Sequence, residues 1–405
     1  MKKVRSLLLP IYLIMNVLYI FIGTYLVKMN IINIDKYAYV YIGLLAFNAL
    51  LIILMFIFKK YRKNKIDIFL LLIIIFGVIS TIFAYRRKTA IIGEWGRREG
   101  ILTISYYMSL LYLCSYVKDK DKKKIIFFIL LGGFVEFLYA TMQKFGLFNV
   151  KTITHEGDIW ATGFSINPNF FGQLMIVCLS YSIGLFIESK DKLFSYFIAI
   201  LIYCYFLGIL ISNTLSCLLG LMVVMVYLLI YSIRKKKIKK YIIISLLLIF
   251  TFTFASLKNI TFLKKDLFRI GNESKEIAKG NFKDDYGSGR IQLWKATVKE
   301  IPKYMIHGIG VDNFAYILDG KPIRRKTYYY DKAHNEYLQI LITMGIFSLI
   351  SYLCLHFIII KNGIKKEVYL FLPAIGYLVQ AMFNISVIEI APFFYMTLGF
   401  LVDRK

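Results

Sequence analysis

The sequence lacks the motifs that mark several large classes of protein. It contains neither a Walker A motif nor a glycine-rich dinucleotide fingerprint. Its five cysteines show neither a disulfide framework nor the paired spacing of a zinc site. The short basic loops between its apolar segments leave no room for a cytoplasmic nucleotide-binding domain. Chemistry on a cytosolic nucleotide is therefore not expected, and ATP-driven transport would require a partner chain.

Long apolar segments dominate the chain instead. Hydrophobic residues make up 59% of the 405 positions, and the mean hydropathy is +0.64. A membrane-spanning helix needs about 20 mostly apolar residues, and helices are expected because backbone polar groups in lipid must be satisfied within the segment. We predict an all-α polytopic membrane protein with about twelve transmembrane helices. The predicted spans are residues 7–27, 37–58, 66–84, 101–117, 125–145, 170–188, 193–212, 215–233, 241–257, 337–360, 368–388 and 392–402.

The net charge of +27 is distributed in a way that does not suggest nucleic-acid binding. Basic clusters fall in alternate loops, which is the pattern produced by the positive-inside rule. It predicts that both termini are cytoplasmic, and contact with anionic lipids of the bilayer suffices to explain the clusters. The clusters are residues 2–5, 59–65, 118–124, 190–192, 234–240, 361–366 and 404–405.

One polar segment, residues 258–332, interrupts the apolar pattern. We therefore divide the chain into residues 1–257 with spans one to nine, residues 258–333 as a large extracytoplasmic loop, and residues 334–405 with the last three spans.

The large loop is predicted to fold. Apolar residues at positions 291, 294, 298 and 301 recur at helical spacing. Ser288 is the predicted N-cap of this helix, and a second short helix is predicted over residues 311–318.

Four histidines are candidates for proton transfer: His155, His307, His334 and His356. A lone histidine is often structural. His334 has the best position, because it lies where the large loop re-enters the membrane. A pKa near 6.5 suits a general base, and Asn335 or Glu336 is placed to orient either the histidine or a substrate.

Arginines in the outer loops indicate an anion site. Arg290 opens the predicted loop helix, where helix amides attract anions and a guanidinium matches phosphate. Arg97 and Arg98 lie in a short outer loop, against the usual charge bias. A solvated or capping arginine is the alternative in each case.

Two asparagines flank a proline at the start of the sixth predicted span. Asn167 and Asn169 either cap this helix or bind sugar hydroxyls through their amides.

Four segments, in this order, resemble the O-antigen ligase and polymerase family of bacterial membrane glycosyltransferases, over roughly residues 70 to 400. The segments are Gly96-Arg97-Arg98-Glu99-Gly100-Ile101-Leu102-Thr103, residues 163–172 around Asn167-Pro168-Asn169, Ser288-Gly289-Arg290-Ile291-Gln292-Leu293-Trp294 continuing to Gly308-Ile309-Gly310, and His334-Asn335-Glu336-Tyr337-Leu338-Gln339 followed by Gly345.

The resemblance implies a twelve-span fold with one large external loop. It implies transfer of a glycan from undecaprenyl pyrophosphate to a glycan or lipid-linked acceptor hydroxyl, on the outer face of the cell membrane and without a metal or other cofactor. His334 is then the implied base and Arg290 one pyrophosphate-binding arginine.

The chain departs from the family pattern at one place. Family members often carry an arginine at the start of a mid-chain span, where this chain has Leu215. Either Arg98, Arg324 or Arg325 takes over that role, or the donor is handled differently.

The expected function is therefore an inverting, metal-independent glycosyl transfer, by a polymerase or a ligase. The alternatives are a flippase for lipid-linked oligosaccharides and a non-enzymatic scaffold. A flippase would show charged residues inside spans and helix breaks in paired halves; Glu136 is the clearest acidic residue within a predicted span.

Overall fold

The computed structural model describes residues 2–149, 153–155, 158–261, 263–281, 283, 286–320, 323–325 and 328–404. Over these ranges the chain is almost entirely helical. The helices are α1 (Lys2–Lys28), α2 (Ile34–Ile57), α3 (Ile66–Ile82), α4 (Arg87–Ile92), α5 (Ile101–Cys114), α6 (Asp119–Lys144), α7 (Pro168–Glu188), α8 (Lys192–Ser212), α9 (Leu215–Arg234), α10 (Ile238–Leu257), α11 (Leu263–Ala278), α12 (Arg290–Tyr304), α13 (Glu336–Met344), α14 (Ile346–Gly363), α15 (Val368–Gln380) and α16 (Ala391–Leu401).

Two small antiparallel hairpins accompany the helices. Strand β1 (Ile153–His155) pairs with β2 (Asp158–Trp160), and β3 (Ile323–Arg325) pairs with β4 (Tyr328–Tyr330). The second hairpin belongs to the large loop, and β4 leads directly into the segment that carries His334.

The predicted all-α membrane fold is confirmed. Within the described ranges, eight helices are long and apolar enough to cross a membrane: α1, α2, α6, α7, α8, α9, α10 and α14. The other four predicted spans correspond to the shorter apolar helices α3, α5, α15 and α16.

Helix α7 lies at the centre of the bundle and is almost wholly buried. It packs against α15 at Gly184, where an added Cβ would lie 2.3 Å from the Cα of Tyr369. Helix α9 approaches α15 in the same way at Gly220, where a Cβ would lie 2.7 Å from the Gly376 carbonyl oxygen. Small residues thus allow the backbones of neighbouring spans to come close together.

The prediction of one continuous helix over residues 337–360 is wrong. The helix breaks at Gly345, which has a φ of 83° and separates α13 from α14. A Cβ at Gly345 would lie 2.2 Å from the Ile306 carbonyl oxygen. The large loop therefore passes against the break, and the position tolerates only glycine.

The predicted turn at residues 308–310 satisfies the backbone at this break. The amide of Ile309 donates to the Ile342 carbonyl at 3.0 Å, and the amide of Gly310 donates to the Thr343 carbonyl at 3.1 Å. The last carbonyls of a helix have no partner within the helix, so the turn supplies the missing donors to α13.

Three further boundaries differ from the predictions. Helix α15 ends at Gln380, and residues 381–390 form an irregular segment within the bundle. Helix α12 begins after Gly289, which is in a left-handed conformation, so Ser288 is not its N-cap. The predicted helix over residues 311–318 is a turn and one 3₁₀ helix, Phe314–Tyr316, because positive φ values at Gly310 and Asp312 prevent a regular helix.

Candidate functional site

Five segments meet at one end of the bundle, which we call the site end. They are residues 93–100 before α5, residues 162–169 before α7, the start of α12, residues 330–336 around the start of α13, and residues 381–390 between α15 and α16. Parts of all four motif segments of the sequence are thus brought into one region, although they lie far apart along the chain.

Contacts from α12 hold the His334 segment beside Arg290. Trp294 Nε1, one turn after Arg290, donates to the Ala333 carbonyl at 3.0 Å. The Tyr330 hydroxyl donates to the Gly289 carbonyl at 3.4 Å, and the Tyr330 ring meets the His334 ring edge-on with centroids 5.9 Å apart. These contacts hold the two segments together, so that the charge of Arg290 acts on the imidazole of His334.

Arg290 has no counter-ion among the described residues. Its Nη1 donates to the Gly287 carbonyl at 3.1 Å, while its buried Nε has no hydrogen-bond partner. Burial lowers the pKa of the guanidinium from its usual value, yet arginine stays charged in proteins. A buried positive charge without an anion is costly, and it favours occupation of this place by an anionic ligand.

His334 is a neutral imidazole at pH 7. Its pKa is lowered to about 4, mainly by burial; the charges of Arg290, Arg97 and Lys332 act in the same direction, and Asp331 opposes them. Its φ of 49° is left-handed, an uncommon conformation that is enriched at functional positions. Among the described contacts neither ring nitrogen has a hydrogen bond, so an acceptor nitrogen is available to a substrate hydroxyl.

Arg97 and Arg98, the other predicted anion-binding residues, are already paired. Arg97 donates to both oxygens of Asp331, at 2.5 and 3.3 Å, and lies over the Phe170 ring at 5.4 Å. Arg98 Nε donates to Asp35 at 2.6 Å. Burial lowers the pKa of Arg97, but Asp331, Glu389 and Asp312 together raise it above its usual value. The Arg97–Asp331 pair thus links the first outer loop to the His334 segment.

Lys332, two residues before His334, is the centre of a buried cluster that the sequence did not single out. Its ammonium lies 2.6 Å from Asp312 and 3.0 Å from Glu99. Asp312 in turn accepts the backbone amides of Glu94 at 2.7 Å and Glu99 at 3.2 Å. Although burial raises the pKa of Asp312, the ion pair joins three chain segments beneath the site.

The amide side chains predicted to bind substrate act as helix caps. Asn167 Oδ1 accepts the amide of Asn169 at 2.8 Å at the start of α7. Asn335 Oδ1 accepts the amide of Leu338 at 2.9 Å at the start of α13. The capping interpretation of Asn167 is therefore supported. Asn335 was expected to orient His334 or a substrate but also caps a helix, and no described contact of either asparagine is with His334.

Glu336 turns away from His334 into the bundle. Its carboxylate accepts hydrogen bonds from the hydroxyls of Tyr352 at 2.7 Å and Tyr377 at 3.3 Å. It lines a cavity of about 70 Å³ that also touches Lys332 and Glu99. Such a volume holds a few waters and is too small for a sugar ring.

Glu389, in the segment between α15 and α16, is a further titratable residue near Arg97. Burial raises the pKa of its carboxyl to about 7, and Arg97 opposes this shift. The sequence placed Glu389 just beyond an apolar span, where only the folded chain reveals its neighbours.

The remaining candidates are placed less fully. Arg324 and Arg325 lie in β3, but their side chains fall outside the described part of the structure, as do Glu156 and the side chain of His155. Leu215 is the first residue of α9.

Two histidines lie elsewhere. His307 stacks on Phe83 with ring centroids 5.0 Å apart, and His356 is buried in α14 with its Nδ1 bonded to the Tyr352 carbonyl at 2.7 Å. Within the described ranges, no three His, Cys, Asp or Glu side chains are arranged to hold a metal ion.

Comparison with known families gives one match. Residues 174–353, from α7 to α14, match the family model described as O-antigen ligase. A comparison with curated proteins finds no match. The matched region contains both Arg290 and His334.

Proposed function

Because the chain belongs to the O-antigen ligase and polymerase family of membrane glycan-transfer proteins, we propose that it transfers or polymerises a glycan carried on undecaprenyl pyrophosphate. The acceptor is a hydroxyl of a second glycan or of a lipid-linked molecule, and the product is part of a surface polysaccharide. The family shows the glycan-transfer function; the donor and the mechanism are our proposal.

The observation that carries this proposal is the buried Arg290 charge without a counter-ion beside a neutral His334. A phosphate leaving group requires positive charge where its own charge grows. Such pre-placed charge is typically the largest single contribution to catalysis. Arg290 is the described cation of the site that no carboxylate already neutralises, and it lies at the N-terminus of α12, whose amides add to the field.

The proposed reaction is a single displacement. The acceptor oxygen forms a bond to the anomeric carbon while the bond from that carbon to the pyrophosphate oxygen breaks, and the electron pair leaves with the pyrophosphate. His334 takes the acceptor proton, an effect worth roughly 10² to 10⁴ in rate. Attack opposite the leaving group inverts the anomeric configuration. The Arg290 guanidinium supplies the charge stabilisation in this proposal, and the proposed step needs no metal.

We place the site on the outer face of the cell membrane, with both termini in the cytoplasm. The basic segments 59–65 and 361–366 lie together at the opposite end of the bundle, where Lys366 pairs with Asp403 and Asn64 bonds to the Asp403 carbonyl. The positive-inside rule assigns that end to the cytoplasm.

Glu136, the clearest acidic residue within a predicted span, does not favour the flippase alternative. Glu136 does not line an open pathway, because it accepts the Phe164 amide at 3.2 Å and the Ser165 hydroxyl at 3.4 Å. It anchors the segment before α7. The break at Gly345 is a feature that transporters share, but here the large loop fills it.

The test uses the purified chain in lipid vesicles with a lipid-linked glycan donor, and compares wild type with His334→Gln. Longer or transferred glycan, lost in the variant at unchanged thermal stability, would support the proposal. His356→Gln, which removes a histidine remote from Arg290, is the matched control. Movement of donor across the bilayer without a new glycosidic bond would support a flippase and contradict a transferase.

A further inference from the structure

Among the described residues, all but one of the cations around His334 have a carboxylate partner. Arg97 faces His334 from the first outer loop, but Asp331 neutralises it. Lys332, on the same segment as His334, is enclosed by two carboxylates. From β4 the Tyr330 ring packs edge-on against the histidine ring. Arg290, on α12, is the remaining charge, and no described anion compensates it.

Two contacts between protein groups hold the segment of Arg290 beside the segment of His334. Trp294 Nε1 donates to the Ala333 carbonyl. Tyr330 packs its ring against His334 and donates its hydroxyl to the Gly289 carbonyl. The two residues therefore lie on segments that are bonded to each other, and the charge of Arg290 acts on the imidazole.

A base in this environment binds a proton poorly. A nearby like charge disfavours the protonated imidazole, as does removal from water. An efficient general base should instead have a proton affinity matched to the working pH. In this environment the His334 imidazole is neutral and can accept a proton, but its proton affinity is low.

We propose that the donor itself activates His334: the pyrophosphate neutralises the uncompensated charge of Arg290, and only then does the imidazole become an effective base. This inference rests on the proposed function and adds a coupling between the two substrates. It would make proton removal from the acceptor, or from water, conditional on a bound donor.

The experiment measures the proton affinity of His334 directly. Diethyl pyrocarbonate acylates only neutral imidazole, so the rate of modification of the His334 peptide, followed by mass spectrometry across a pH series, gives the midpoint. The full chain in detergent is used with and without inorganic pyrophosphate. We expect pyrophosphate to raise the midpoint by about 1 to 2 pH units, as an opposite charge at short range does. The rate at high pH, where the ring is neutral either way, reports steric protection separately.

A variant provides the second arm, which needs no ligand. In Arg290→Gln the midpoint should rise without pyrophosphate and respond little to its addition. Lys299→Gln changes an exposed cation on the same helix and should leave the midpoint unchanged.

The inference is overturned if pyrophosphate leaves the wild-type midpoint in place, or if Arg290→Gln has the wild-type midpoint. Glycan transfer by the wild-type protein could still be intact in either case, so the proposed function would stand independently.

Discussion

Two arginines, at opposite ends of the bundle, differ in how completely their charge is satisfied. Arg404 donates to Asp67 at 2.9 Å and to Ser115 at 2.5 Å, and its guanidinium stacks on two tyrosine rings. Arg290 donates only to the Gly287 carbonyl among its described contacts, and its Nε is left without a partner.

The difference indicates what each arginine is for. Ion pairs, hydrogen bonds and ring contacts make Arg404 part of the fold, tying the end of the chain to α3 and α5. Arg290 carries the same guanidinium group, but among the described residues no carboxylate pairs with it and its Nε–H has no acceptor. An arginine whose donors are all hydrogen-bonded within the protein contributes to stability. An arginine with unpaired donors lowers stability, and a bound anionic ligand offsets that cost.

The strongest test of this comparison is Arg290→Gln. We expect glycan transfer to fall on the order of 10²- to 10³-fold, as removal of one charge-stabilising donor does. Thermal stability should be unchanged or slightly higher, because the variant removes an uncompensated buried charge. Product formation and the melting temperature are measured on the same purified samples. A melting temperature that drops while transfer per folded molecule is preserved would assign Arg290 to the fold instead.

Lys332→Met tests the paired cluster beneath the site. Removal of the ammonium leaves Glu99 and Asp312 buried together without their cation, which typically costs about 3 to 5 kcal/mol in unfolding free energy. Thermal unfolding in detergent should show a large decrease in melting temperature. Lys299→Met, on an exposed part of α12, is the control. An unaffected melting temperature for Lys332→Met would mean that the ion pairs contribute no stability.

Arg404→Gln should lower stability and leave glycan transfer unchanged, which is the reverse of the result expected for Arg290→Gln. The loss of its charge-assisted hydrogen bonds with Asp67 is expected to cost about 1.5 to 3 kcal/mol of stability, with transfer per folded molecule unchanged. The melting temperature and the specific activity of the folded fraction separate the two effects. If specific activity falls as far as in Arg290→Gln, the two ends of the bundle are not independent.

The order of the spans was predictable because their apolar runs have the length that lipid requires. The break at Gly345 was not, since residues on both sides are equally apolar. What stops the helix is the large loop, whose amides at Ile309 and Gly310 bond to the carbonyls of α13. A single sequence gives no measure of contacts across such a separation.

The candidate site residues remain a prediction, and only part of their arrangement could be expected from the sequence. Residue chemistry pointed to Arg290 and His334, and the structure brings them together. Chemistry alone ranked Arg97 and Arg98 with Arg290, because all three are arginines in outer loops. Their carboxylate partners, Asp331 and Asp35, are 234 and 63 residues away in the sequence. Which arginine remains free for a ligand is therefore a property of the folded chain.

Substitutions of Asn335 are expected to have the smallest effect on stability and transfer. They distinguish helix capping from substrate binding by this residue. Its Oδ1 caps α13 through the Leu338 amide, so Asn335→Ala should cost about 0.5 to 2 kcal/mol of stability, and Asn335→Ser should restore most of it. Because the cap also positions the residue after His334, the alanine variant should lower transfer modestly and the serine variant should recover it. The two melting temperatures and the rates of glycan transfer are compared. If Asn335→Ser is stable but as inactive as Asn335→Ala, the amide nitrogen binds the substrate and capping is not its only role.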